Sequence, residues 1–235
     1  NRVGSARCTV ERVVAALEGL DLHTDGRGLP IHGTMSAQPG WEVVAADERS
    51  MASRFDFGAR SDLLASFPFP HELRIAVDVD ATTLSVATTL TATSDRAVPA
   101  AFGYHPYLNL PGARRADIQV RLPARRHLEL DDRQLPTGAA RAEDAEDDPL
   151  GTRTFDDLYE LDDDRRLALT GGGRRLTLEL GDGYRYAQVF TPLGADSVCL
   201  EPMSAPVNAL VDGGYGLVPP GASFTARFSL HVEDA

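Results

Sequence analysis

The chain has 235 residues, 43% of them hydrophobic and 25% charged, with a formal net charge of −12. Those proportions belong to an ordinary globular protein, and the length suits one all-β domain with a sizeable core. The acidic balance repels nucleic acid and anionic lipid, no basic stripe with interleaved aromatics offsets it, and no apolar run approaches the ~20 residues that span a bilayer.

The first residue is Asn1, and nothing near it has the charged start and apolar stretch of a signal peptide. Helical periodicity is weak from Val10 to Leu20. Turn signals at Gly26-Arg27-Gly28 lead to Ile31-His32-Gly33, which places a histidine in a loop beside the smallest residue. Leu73, Ile75, Val77 and Val79 then alternate with Arg74, Ala76, Asp78 and Asp80, and a second run from Thr82 to Thr93 follows closely, which predicts a hairpin.

In Ala101–Leu110, Pro106 biases His105 toward an extended backbone between Tyr104 and Tyr107. The acidic stretch Glu143–Asp148, ended by Pro149, reads as a solvated loop with at most a helical turn. A hairpin is expected from Arg165 through Gly171, Gly172 and Gly173 to Leu176, Leu178 and Leu180. Tyr184–Phe190 and Ser197–Leu200 read as further strands, the second delivering Glu201 at its end before Pro202 interrupts the ladder. In Phe224–Glu233 the apolar residues share one face and the polar ones the other. Many strands, short turns and no βαβ alternation predict packed antiparallel sheets in a β-sandwich. No repeat of fixed period is present, and no linker is long enough to divide residues 1–235 into two domains.

Two cysteines, Cys8 and Cys199, are too few for a disulfide framework, and no CxxC or Cys/His cluster has metal-ligand spacing. A reduced, cytoplasmic protein is the expectation. His105, Glu201 and His32 are the candidate functional side chains. Each also has a bland reading: a core histidine satisfied by a backbone carbonyl, a strand-end charge in a surface ion pair, and an exposed loop residue. His23, His71, His127 and His231 receive no role. Arg114-Arg115 and Arg125-Arg126 read as exposed charge rather than phosphate clamps.

Taken in order, Asn1-Arg2-Val3, Ile31-His32-Gly33, Phe102-Gly103-Tyr104-His105-Pro106-Tyr107, Phe155-Asp156-Asp157 and Leu200-Glu201-Pro202-Met203 with Asn208 resemble the aldose 1-epimerase (galactose mutarotase) family. The resemblance implies a supersandwich of antiparallel sheets and interconversion of the α and β anomers of a free hexose such as glucose or galactose. It implies Glu201 as general base and His105 as general acid, with Arg2, His32 and Asp156 holding hydroxyls and ring oxygen. Asn208 is of the right type to join them, and Tyr104 or Tyr107 to stack on an apolar sugar face.

In that reaction a carboxylate removes the C1 hydroxyl proton while an imidazolium protonates the ring oxygen, and the environments of the two groups are expected to separate their pKa values. The anomerisation implied by the resemblance requires no metal and no cofactor. The rival readings are a hexose-6-phosphate 1-epimerase and a non-catalytic carbohydrate-binding β-sandwich. For the first, Arg2, Arg114, Arg115, Arg125 and Arg126 could supply an anion site. The expected partner is a small sugar, with no nucleic acid and no membrane, and the protein is a monomer or homodimer. The chain also starts inside the first motif, where the family carries additional N-terminal strands, so the given sequence is expected to lack strands of the full-length protein.

Overall fold

The computed structural model describes residues 2–5, 7–10, 13–17 and 22–235. Asn1, at the head of the first motif, and residues 11, 12 and 18–20 of the weakly periodic stretch lie outside them. The described part of that stretch is not helical: Arg7–Val10 and Val13–Ala16 pair as antiparallel strands.

Two antiparallel sheets make the body. The six-stranded sheet runs, in spatial order, Pro136–Glu143, Arg125–Leu130, Asp156–Leu161, Tyr186–Phe190, Ser197–Met203 and Tyr107–Asn109. The nine-stranded sheet runs Glu146–Pro149, Gln119–Leu122, Arg166–Gly171, Arg174–Leu180, Ser223–Asp234, Thr83–Ala92, His71–Val79, Ser50–Asp56 and Glu42–Ala46. Alternation dictates which residues lie between them. Val198, Leu200, Val189 and Leu161 of the smaller sheet meet Val120, Leu169, Leu178 and Phe228 of the larger in one continuous core.

Both expected hairpins form. The His71 and Thr83 strands join through a turn in which Asp80 Oδ1 accepts from the backbone N–H groups of Thr82 and Thr83. The Arg166 and Arg174 strands turn at Gly172 and Gly173, whose φ values of 58° and 73° suit a two-residue loop. The long terminal strand pairs with both hairpins, which joins them into one sheet.

Three expectations fail locally. The acidic stretch is not a loop, because Glu146–Pro149 forms the edge strand beside Gln119–Leu122. An edge strand leaves one side to solvent, where carboxylates stay hydrated and Pro149 gives up no needed donor. Arg125 and Arg126 are not both exposed charge. Adjacent strand residues face opposite ways, so Arg126 pairs outward with Glu160, while Arg125, 6% exposed, turns inward over the Tyr159 ring and binds Glu143 at 2.7 Å. Finally, the Glu201 strand does not stop at Pro202 but runs on to Met203.

That extension sets the geometry that follows. Cys199 is the register partner of Tyr107, and Met203 bridges Gly103, so the same register places His105 opposite Glu201. Pro202 donates nothing, but its carbonyl accepts from Tyr104 N–H at 3.1 Å. A Cβ on Gly103 would sit 2.6 Å from that carbonyl oxygen. Gly103→Ala is therefore expected to push the two strands apart, costing roughly 1–3 kcal/mol, measurable as a fall in the urea midpoint. An unchanged midpoint would show that the strands do not need this close approach.

Candidate active site

The face of the six-stranded sheet away from the core carries two rows of side chains. Asp156, Phe190, Cys199 and Tyr107 are successive register partners across four strands. In the next row Leu158, Gln188 and Glu201 are partners, and His105 completes it. Asp157 points the opposite way, with His127 Nε2 3.2 Å from its carboxylate, so of the two adjacent aspartates only Asp156 faces this site.

His105 Nε2 lies 3.2 Å from Glu201 Oε1. The approach is not aligned as a hydrogen bond, and His105 Nδ1 and Glu201 Oε1 are buried without a hydrogen-bond partner. Glu201 is 9% exposed, and burial, seconded by the nearby Asp156 charge, pushes its carboxyl up to about 8. Burial moves the His105 imidazole below its ordinary value, with Asp156 opposing. The expected separation therefore runs the other way. In the open pocket the carboxyl is the group that holds the proton near neutrality, because desolvation disfavours both charged forms and the two charges do not pair well enough to repay it.

A loop and the first described residues cover this face. Val3 N–H donates to Pro30 O and Asn208 N–H to Arg2 O, both at 3.0 Å, while Asn208 Oδ1 accepts from Gly4 N–H at 2.7 Å. The other end of the Asn208 amide donates to Asp212. Asn208 thus uses its amide to pin the Arg2 segment, in a left-handed conformation with φ of 60° that asparagine tolerates.

Arg2 Nε donates to Asp25 at 2.8 Å, and its Nη2 lies 3.8 Å from Asp156. Asp25 also accepts from Leu29 and Arg27 N–H groups, which holds the loop before His32 in shape. His32, also at positive φ, stands edge-on to His105 with centroids 5.5 Å apart, and His23 stacks on His32 at 5.2 Å. Partial burial together with His105, His23 and Arg2 holds His32 below its ordinary imidazole value.

Tyr107, 61% exposed, stacks on His105 at 5.0 Å. Tyr104 is a core residue, its hydroxyl bonded to Thr88 at 2.6 Å and its ring against Phe228. The fold therefore sets Arg2 beside Asp156, and His32, Tyr107 and Glu201 around His105, while the Asn208 amide is bonded to Gly4 and Asp212. Sequence reading passes over His23, Asp25, Gln188 and Cys199. Gln188 donates to Asp156 Oδ1 at 2.9 Å and fixes that carboxylate. The one signal that could have found Gln188 and Cys199 is their place on the same alternating face as Glu201. Among the described residues, one group of His, Cys and carboxylate side chains is close enough to hold a metal ion, namely His105, Cys199 and Glu201. Both cysteines are free.

The model of the family described as aldose 1-epimerase matches residues 19–231. The chain belongs to the aldose 1-epimerase family. Solved structures share the fold over the whole of this chain: Slr1438 of Synechocystis sp. PCC 6803 (22% identity, TM-score 0.77, 75% of its chain covered), a putative aldose 1-epimerase of Escherichia coli K12 (19%, 0.79, 81%) and a galactose mutarotase-like protein of Clostridium acetobutylicum (18%, 0.87, 77%). No curated protein matches. No helix among the described residues is long and apolar enough to cross a membrane.

The burial of Glu201 has a thermodynamic signature. Its carboxyl keeps its proton in the folded chain up to about 8, but in the unfolded chain only to about 4.5. Between those values the unfolded state binds fewer protons, so this group makes stability fall as pH rises, until the loss is complete above pH 8. Glu201→Gln removes the penalty. The variant is expected to gain about 2 kcal/mol over wild type at pH 8 and close to nothing at pH 4.5, a fraction of the full linkage because the group is not completely dry. Thermal unfolding at the two pH values checks this, and a gain independent of pH would contradict it.

Proposed function

We propose that the protein is an aldose 1-epimerase acting on a free hexose such as glucose or galactose, with Glu201 and His105 as the proton-transfer pair. The observation that carries this reading is the 3.2 Å approach of the part-exposed His105 Nε2 to the buried Glu201 Oε1. Anomerisation needs one proton removed from the C1 hydroxyl and one delivered to the ring oxygen. Rotation about C1–C2 in the open aldehyde then exposes the other carbonyl face, and the same groups with exchanged roles close the ring.

The chemistry needs one proton on the pair, with the other member free to accept. Transfer of that proton from Glu201 to His105 as the sugar enters readies the carboxylate to take the C1 proton. The total number of protons is the same whichever member holds it, so the rate follows the singly protonated pair. Arg2, Asp156 and His32 supply directional donors and acceptors for hydroxyls and the ring oxygen. The exposed Tyr107 ring, held parallel to His105, offers an apolar face at the pocket mouth.

A free sugar is favoured over a phosphorylated one because the candidate cations are already engaged. Arg2 is bound to Asp25, Arg114 to Asp117, Arg125 to Glu143 and Arg126 to Glu160, while the Arg115 guanidinium donates to backbone carbonyls. A dianion would have to break such pairs to be held. A non-catalytic sugar-binding module has no use for a buried carboxyl facing an imidazole.

NMR of freshly dissolved α-D-glucose and α-D-galactose, with and without protein, tests the reading. Wild type is expected to speed equilibration of free sugars, and Glu201→Gln to lower the rate by about 10²–10⁴-fold. Acceleration of the 6-phosphates alone would favour the phosphosugar enzyme, and no acceleration by folded protein would favour a binding module. The dependence of kcat/KM on pH is expected to be bell-shaped. Its alkaline limb should lie near pH 8, where Glu201 loses its proton. Its acid limb should lie below about 6.5, the ordinary imidazole value. A flat profile from pH 6 to 9 would remove Glu201 from the proton transfers.

A further inference from the structure

Cys199 and Glu201 stand two residues apart on one face of a single strand, and His105 meets them from the segment between the Gly103 bridge and the neighbouring Tyr107–Asn109 strand. Their thiol sulfur, carboxylate oxygen and imidazole nitrogen all lie within 4.8 Å of one another. Two further facts separate this trio from a chance cluster. Glu201 Oε1 is buried with no hydrogen-bond partner, as is His105 Nδ1, which is rare for native polar groups. Cys199 is fully buried and has no part in the proton transfers, yet it is the residue beside the pair.

We propose that His105, Cys199 and Glu201 form a site for a soft divalent cation, zinc or cadmium, and that the bound ion shuts off the enzyme by taking both members of the acid–base pair as ligands. Bonds of about 2.0 Å to nitrogen and oxygen and about 2.3 Å to sulfur put tetrahedral ligands some 3.3–3.6 Å apart, so side-chain rotations bring the trio onto an ion. Three protein ligands leave the fourth position to water. Sulfur and imidazole select zinc or cadmium over magnesium and calcium. On binding, the thiol proton and the proton held by the pair leave to solvent, and no electron is transferred.

The metal site stands on geometry alone, whereas its inhibitory effect rests on the epimerase reading, so the two are measured separately. Cadmium is titrated into the purified protein and followed by its thiolate charge-transfer absorbance, with circular dichroism to verify folding. One cadmium per chain is expected, with the band kept in Cys8→Ser, lost in Cys199→Ser, and affinity weakened at least about tenfold in Glu201→Gln, the lower end of what even outer-shell partners cost. Cys199→Ala replaces the serine variant if that one does not fold. A band that survives loss of Cys199, or an affinity indifferent to Glu201, overturns the site.

In the second arm, zinc is expected to slow anomerisation in step with occupancy, and a chelator to restore it. A rate unchanged or raised at full occupancy overturns the inhibitory role. No anomerisation in metal-free protein would instead defeat the epimerase reading and leave the metal site standing.

Discussion

A buried carboxyl and a part-exposed imidazole face each other where the His105 segment runs beside the Glu201 strand, and the rest of the site answers to that arrangement. In water each would be charged or neutral according to its own affinity. Here desolvation penalises both charges at once, so the pair settles on one proton between them. The arrangement is costly to the fold, as functional sites commonly are. It is held because the strands have no freedom to part: the Gly103 backbone lies against the Pro202 carbonyl, and Val198 and Leu200 on the reverse face are fully buried in the core.

The sandwich core and the pocket share one sheet, facing opposite ways. Alternation along Ser197–Met203 sends Val198 and Leu200 into the apolar layer between the sheets and Cys199, Glu201 and Met203 to the opposite face, where Met203 packs with Leu29, Leu158 and Val207. A packing change on one face would therefore move the reacting groups on the other. The cover over the pocket is of a different kind. It consists of loops held by side-chain clamps: Asp25 on Arg2 and Leu29, and Asn208 on Gly4. Rigid sheet below and hydrogen-bonded loops above give a precise floor and an adaptable wall.

Much of the fold is legible in the sequence, because a half-buried strand must alternate and the His71, Thr83, Arg166, Arg174 and Ser223 strands do so plainly. The acidic edge strand is not legible, since at an edge the composition follows solvent rather than sheet. Arg125 misleads for a related reason: an arginine pair looks exposed until the period of two turns one member inward onto Glu143 and Tyr159. At the site, the residue types of His105 and Glu201 are visible, and their order with the other motifs points to the family. Their contact is not visible, because it depends on the register of strands distant in sequence. The inverted proton affinities are further out of reach, since burial is a property of the whole fold. Cys199 reads as one of two scattered thiols until the strand face sets it beside Glu201.

The clamp between Gly4 and Asn208 joins residues 204 positions apart. Closing so long a loop is entropically slow to be repaid, and contacts of this separation belong to the late stages of folding. During synthesis the Arg2 segment can meet Asp25 and Pro30 early, but its clamp to Asn208 waits until the turn bearing that residue has been made. The sheet floor can assemble first from its hairpins. The cover over Glu201 and His105 is therefore complete only when both ends of the chain are in place, which makes the site a product of the whole fold rather than of any one hairpin.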